Sequence, residues 1–164
     1  MLLELKIEFI EETETIARAF SEILTRGDIL CLQGDLGAGK TTFTQFLCQA
    51  LKVEDYVTSP TFNIINNYEG VFPIYHFDVY RISEPDEMYE IGFDEYLYGM
   101  GICIIEWANL VAELIPNSAV WMTILLNVNG SRSIRIEGDD QIILKLKAHL
   151  EKMDNSYERK DLRL

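Results

Sequence analysis

Leu3, Leu5, Ile7 and Phe9 alternate with polar residues, the period of a strand with one face in a core. The period then lengthens. Ile16, Ala17, Phe20, Ile23 and Leu24 share one helical face, with Thr13 placed to cap the helix start and Gly27 to stop it. Ile29-Leu30-Cys31-Leu32 is a short unbroken apolar run, which suits a strand covered on both faces in a parallel sheet. Gly34 to Gly39 is rich in glycine, and from Lys40 the period is helical again through Phe43, Phe46, Leu47, Ala50 and Leu51. Strand, glycine loop and helix in that order open a βαβ unit.

Further along, Ser59-Pro60 breaks the chain, Phe62 to Tyr68 reads as extended, and Pro73 to Arg81 reads as a strand rich in aromatic and β-branched residues. Glu84 to Gly99 is acidic and loop-like, with room for one or two short helices. Gly101 to Trp107 is a second short apolar run, with a charge near its end. Ala119 to Val128 and Ser131 to Glu137 flank Asn129-Gly130, a two-residue hairpin signal. Asp139 to Met153 is an amphipathic helix with Ile142, Ile143, Leu146 and Leu150 on one side. No repeat or linker divides residues 1–153, which read as one domain, and residues 154–164 read as a polar, frayed tail.

Composition narrows the function. With 48% apolar and 25% charged residues the chain is of ordinary globular type, which excludes a disordered or collagen-like protein. Fourteen basic against 27 acidic side chains give a net charge of −13, so unaided binding to nucleic acid phosphate is disfavoured. Residues 82–131 carry eight acidic side chains and neither Lys nor Arg, so that stretch offers no cationic clamp. No apolar run approaches the ~18 residues of a membrane helix. The acidic N-terminus lacks the basic and apolar regions of a signal peptide. Cys31, Cys48 and Cys103 are odd in number and have no metal-ligand spacing, as expected of reduced core thiols in a cytoplasmic protein.

Gly34-Asp35-Leu36-Gly37-Ala38-Gly39-Lys40-Thr41 matches G-x-x-x-x-G-K-S/T, the Walker A pattern. Its glycines let successive backbone N–H groups turn inward around an anion, and the helix that follows aims its N-terminal dipole at the same point. In this pattern Lys40 reaches the β- and γ-phosphates and the Thr41 hydroxyl coordinates Mg2+. Thr42 adds a hydroxyl on the first helical turn, near the α-phosphate. No Lys follows an Asn and no Asp stands three residues before a Gly, so the usual guanine-reading and switch signatures of GTPases are missing. ATP is favoured by exclusion.

A phosphate loop needs a carboxylate across the site to hold magnesium or its waters. Glu106, ending Ile102-Cys103-Ile104-Ile105, and Asp78, inside Tyr75 to Arg81, stand at such places. The plain alternatives are a surface acid for Glu106 and a partner of Arg81 for Asp78. His76 reads as a half-buried, hydrogen-bonded imidazole, and Trp107 either as a cover for a nucleotide or as a core aromatic. Thr61 lies on a proline-broken loop of the kind that can order around a γ-phosphate.

The ordered set GDLGAGKTT, SPTF, YHFDVYR, IGFDEYL and IIEW resembles the bacterial TsaE (YjeE) family over roughly residues 10 to 137. The resemblance implies a small cytoplasmic ATPase of the phosphate-loop α/β fold, with a mostly parallel central sheet flanked by helices and a C-terminal antiparallel hairpin. It implies work with two partners, TsaB and TsaD, in making the threonylcarbamoyl group on adenosine 37 of tRNAs reading codons that begin with A. TsaD carries the transferase site, and ATP hydrolysis by the TsaE component supports turnover. Matched residue by residue, Lys40 and Thr41 are the phosphate and magnesium residues, Glu106 the second magnesium carboxylate, and Asp78 the acid of the HxDxYR segment. Asp35, Leu36, Gly37, Ala38, Gly39 and Thr42 complete the phosphate loop. Thr61 is the first switch loop and Trp107 the switch aromatic, while Thr13 and Arg132 match further ATP-contacting positions. The acidic segment from Met88 to Tyr98 is either part of a partner surface or a solvated face over two short helices. Two other classes share the loop: a small-molecule kinase, and a nucleotide-dependent switch without useful hydrolysis. A kinase commonly places several Arg on a lid, and of the arginines here only Arg81, Arg132 and Arg135 are well placed for that.

Overall fold

The two unbroken apolar runs lie side by side at the centre of the molecule. In the computed structural model, which describes residues 1–156, the chain runs β1 (Leu2–Ile7), α1 (Ile10–Ile23), β2 (Ile29–Gln33), α2 (Lys40–Ala50), β3 (Ile65–Glu69), β4 (Pro73–Asp78), α3 (Glu87–Glu90), α4 (Phe93–Leu97), β5 (Ile102–Glu106), a 3-10 segment (Ala108–Leu114), β6 (Val120–Leu126), β7 (Arg132–Glu137) and α5 (Asp140–Ser156). One seven-stranded sheet has the order β1-β7-β6-β2-β5-β4-β3. The central strands β6, β2, β5 and β4 are parallel to one another. Antiparallel pairs finish both sides, β6 with β7 and β7 with β1 on one, β4 with β3 on the other. The parallel centre and C-terminal hairpin agree with the sequence, and the strands at the two edges extend them.

Alternate side chains of β2 enter two different cores, which is why its run is apolar throughout. Leu30 and Leu32 join Phe20, Phe43, Leu47, Ile143 and Leu146 beneath α1, α2 and α5. Ile29 and Cys31 join Phe77, Met88, Phe93, Cys103 and Val111 beneath the short helices on the other face. Phe20 of α1 and Phe43 of α2 meet edge to face with centroids 5.8 Å apart. Full burial of each such ring contributes about 1.5–3 kcal/mol, and the pair fixes the start of α2 against the sheet. The three cysteines are buried free thiols. Burial raises the pKa of all three, to about 12 for Cys48 and Cys103.

Local boundaries depart from the sequence pattern for identifiable reasons. Thr13 does not cap α1, which begins at Ile10. Instead the Glu12 carboxylate accepts hydrogen bonds from the backbone N–H groups of Glu8 (2.7 Å) and Phe9 (2.9 Å), and Thr13 turns inward. The helix ends at Ile23, and Gly27, with φ of +87°, turns the connection that leads into β2. The stretch from Phe62 becomes extended only at Ile65, because the Ile64 N–H bonds back to the Pro60 carbonyl at 2.8 Å. The strand expected from Pro73 to Arg81 ends at Asp78. The β6–β7 connection is not a two-residue turn. The Asn127 N–H bonds the Ser131 carbonyl (2.8 Å) and the Gly130 N–H bonds the Asn127 carbonyl (3.0 Å), enclosing Val128, Asn129 and Gly130 with Gly130 at φ +84°. Residues 154–156 of the expected tail continue α5, and residues 157–164 lie outside the described residues.

Candidate functional site

β2 delivers the glycine loop to the top of the sheet, and α2 leaves from it. Gly34 has φ of +149°, and a Cβ there would lie 2.4 Å from the Ile124 carbonyl oxygen, so loop and β6 pass too closely for any side chain. Gly39, at φ +117°, sets the left-handed step by which the loop enters α2. Arg132 of β7 donates from Nε to the Ala38 carbonyl at 2.7 Å and ties the loop to the hairpin.

Lys40 is folded onto its own loop. Its Nζ donates to the carbonyls of Gly34 (2.6 Å) and Asp35 (3.0 Å) and lies 4.0 Å from the centroid of the Trp107 ring. Burial lowers its pKa, against the opposing pull of Glu106, Asp78 and Asp35. The ammonium is thus held by neutral carbonyls beneath an aromatic face, a setting in which an anionic oxygen would make a stronger bond than either carbonyl.

The strand ends supply the acids. Parallel pairing of β4 and β5 sets Asp78 beside Glu106 in register. Glu106 is 1% exposed. Its Oε1 accepts from Thr41 Oγ1 at 2.8 Å, and its Oε2 contacts His76 Nε2 at 2.5 Å. It is therefore not a surface acid. Asp78 Oδ2 accepts from Ser59 Oγ (2.7 Å) and its Oδ1 from the Tyr80 N–H (3.0 Å). Ser59 in turn lies 3.1 Å from the Thr61 hydroxyl. The acid thus holds the proline-broken loop, while Arg81 stacks over the exposed Phe62 ring at 4.6 Å. Trp107 leans on Tyr80, with centroids 4.6 Å apart. Its φ of +61° is uncommon for a residue with a side chain and aims its ring back over Lys40.

Two cavities meet at the loop. A cleft of about 500 Å³ is lined by Leu36, Gly37, Gly39, Lys40, Thr41, Thr42, Ser59, Thr61, Asp78, Tyr80, Arg81, Glu106 and Trp107. A smaller pocket of about 100 Å³ lies on the other side of Gly39, lined by Thr13, Ala38, Thr42 and Arg132 together with Phe9 and Ile10. The residues singled out in the sequence thus gather around one loop, except that Asp35 takes part through its backbone carbonyl. Sequence reasoning missed Ser59 and Tyr80 and misplaced His76, which is wholly buried with Nδ1 unpartnered. A signal was present: strand alternation puts Ile74, His76 and Asp78 on one face of β4, and Ile102, Ile104 and Glu106 on the same face of β5.

The donors suit magnesium. A hydroxyl and two carboxylates at strand ends are hard oxygen ligands, and Mg2+ beside phosphates commonly takes only one or two carboxylates from the protein. No cluster of three or more His, Cys, Asp or Glu that could hold a metal occurs among the described residues. Thr41, Asp78 and Glu106 line the cleft, and their oxygens are a donor set that suits Mg2+ completed by ligands from outside the protein.

The family described as "Threonylcarbamoyl adenosine biosynthesis protein TsaE" matches residues 7–134. The tRNA threonylcarbamoyladenosine biosynthesis protein TsaE of Bacillus subtilis is 45% identical over 125 residues, 76% of this chain and 78% of that protein. The protein of the same name from Treponema pallidum is 35% identical over 126 residues, covering 77% of this chain and 93% of its own. The crystal structure of Bacillus subtilis YdiB superposes with a TM-score of 0.78 at 36% identity, covering 94% of this chain and 97% of that one.

Proposed function

The chain belongs to the TsaE family, and from that premise we propose that it is a Mg2+-dependent ATPase serving tRNA threonylcarbamoyladenosine biosynthesis. In this proposal its hydrolysis cycle supports threonylcarbamoylation of adenosine 37 in tRNAs reading codons that begin with A. It acts in the cytoplasm on a complex of TsaB- and TsaD-like partners, and TsaD performs the transfer. The observation that carries the ATPase reading is the hydrogen bond from Thr41 to Glu106, which joins the end of the phosphate loop to the acid of the neighbouring strand.

The geometry supports the following roles. Backbone N–H groups of Gly37 to Thr41 and the dipole of α2 receive the phosphates. Lys40 exchanges the Gly34 and Asp35 carbonyls for phosphate oxygens. Thr41 and Glu106 would hold Mg2+, which when bound would supply neutralisation of charge developing on the phosphoryl group. Asp78, on the cleft wall and bonded to Ser59, orients water and the Thr61 loop together. Thr13, Thr42 and Arg132 line the smaller pocket, the place for the nucleoside end.

A small-molecule kinase is less well supported. Lys40 and Arg81 are the cations lining the cleft, and residues 82–131 add none. The net charge of −13 also argues for a protein partner over a direct grip on tRNA. Among the described residues no helix is long and apolar enough to cross a membrane. The test is phosphate release from Mg-ATP with and without candidate acceptors, followed by reconstitution with TsaB and TsaD. Release without an acceptor and support of repeated tRNA modification are expected. Phosphate transfer to an acceptor would establish the kinase, and tight nucleotide binding without release would establish a switch.

A further inference from the structure

Resting on the assignment of Thr41 and Glu106 to magnesium, we infer that His76 is the positioning residue of the Glu106 carboxylate. The His76 side chain is wholly buried, and its Nε2 meets Glu106 Oε2 while Glu106 Oε1 accepts from Thr41. Each carboxylate oxygen has its own partner, so the plane of the group is fixed from both sides. His76 reaches Glu106 from the adjacent strand, where it stands opposite Ile104 on the face that both acids share. Tyr68 packs against the ring at 6.4 Å on a tilted plane and keeps it in place.

The other ring nitrogen makes the case stronger. Nδ1 of His76 is the one buried side-chain polar atom without a hydrogen-bond partner among the described residues. Leaving such an atom unpaired is costly, and an aliphatic side chain would fill the space without that cost. The contact that accounts for an imidazole here is the one to Glu106. Hydrogen bonding selects the tautomer with the proton on Nε2, because an idle lone pair on Nδ1 is better tolerated than an idle N–H donor. Nε2–H then donates to Oε2 and leaves Oε1 turned toward Thr41 and the cleft. A carboxylate already ordered loses less freedom when it takes part in binding a cation, and partners of this kind are worth roughly 10–100-fold in metal affinity.

Three substitutions separate positioning from packing. His76→Leu fills the space without a donor. His76→Gln places an amide nitrogen close to where Nε2 stands. His76→Asn carries the same amide, but it ends near the Nδ1 position, short of Glu106. The measurement is calorimetric binding of a non-hydrolysable ATP analogue across a magnesium chloride series, and in EDTA, with thermal melting alongside. His76→Leu and His76→Asn should need about 10–100-fold more Mg2+ for half-maximal enhancement of binding. His76→Gln should stay near wild type, and binding in EDTA should be alike in all four proteins. An unchanged Mg2+ requirement in His76→Leu, or equal requirements in His76→Gln and His76→Asn, would overturn the inference. If His76→Leu does not fold, the Gln and Asn pair decides. A wild type whose binding ignores Mg2+ would instead sink the magnesium assignment, and this inference with it.

Discussion

Lys40 carries the phosphate contact of the proposed function. In this structure it closes the loop on itself through two carbonyls and a ring contact. Nucleotide phosphates would replace partners that are neutral with partners that are charged, and charge-assisted bonds are about twice as strong. Lys40→Ala should therefore abolish ATP hydrolysis. The fold should survive, because the two freed carbonyls belong to a loop that water reaches, with Gly34 half-buried and Asp35 exposed. Phosphate release and a melting curve check both halves, and normal hydrolysis in the folded variant would defeat the phosphate-loop assignment. Glu106 is tested differently because it is buried and bridges two partners. Glu106→Gln keeps the shape and removes the charge that a divalent cation would require. Its ATPase activity should fall steeply while affinity for ADP in EDTA stays near wild type. An unaltered Mg2+ dependence would move the metal to Asp78, the next acid along the same face.

At the scale of elements, the site depends on how closely β2, its loop and β6 pass. Gly34→Ala would push a methyl group within 2.4 Å of the Ile124 carbonyl at a φ of +149°. Relief requires backbone movement, with a cost of about 1–3 kcal/mol. In a domain of this size that lowers the melting temperature by roughly 2–12 °C. A differential scanning calorimetry trace at wild-type temperature would show that the loop is more pliable than its geometry implies. The same elements show what a sequence can disclose. The β2–loop–α2 unit was legible because apolar run, glycine spacing and helical period change abruptly at Gly34 and Lys40. The acids at the ends of β4 and β5 were legible as charges closing apolar strands. What escaped depends on partners distant in the chain. Thr13 has the composition of a cap, yet Glu12 reaches back to that role and frees Thr13 to face the pocket beside Arg132. The contact between His76 and Glu106 spans 30 residues and exists only because β4 and β5 pair in one register. Asn129-Gly130 marked a turn correctly, but the side chain of Asn129 bonds Ser131 and draws a third residue into the loop.

For the whole molecule, the proposed function raises the question of how nucleotide state would reach a partner. The net charge of −13 and the stretch from 82 to 131 without Lys or Arg disfavour a direct grip on tRNA, and in the proposed function a signal would pass through protein contact. The segment best placed to carry it runs from Ser59 to Ile64. It touches the cleft through Ser59 and Thr61, and it presents Phe62 to solvent at 84% exposure. Its ends are constrained. Pro60 limits the alternatives available to the unbound loop, and Ile64 sits at φ +67°, a strained conformation for a β-branched side chain. The Thr61 hydroxyl is engaged with Ser59, and Ser59 with Asp78. In the proposed function Thr61 would turn to the γ-phosphate and its magnesium when ATP binds, an interaction that ADP would not offer. A ligand shifts a two-state segment only by its differential affinity for the two states. One hydrogen bond to a charged group supplies roughly 1.5–3 kcal/mol, a bias of about tenfold to a hundredfold. Thr61→Ala should accordingly bind ADP as wild type does, yet lose the difference between ATP and ADP in its affinity for a TsaB–TsaD complex. Repeated rounds of tRNA modification should fail with it. The measurement is partner affinity in each nucleotide state for both proteins, using a non-hydrolysable analogue to hold the ATP state. Equal affinity of wild type in the two states would return Thr61 to the status of a turn residue and place the signal elsewhere on the surface.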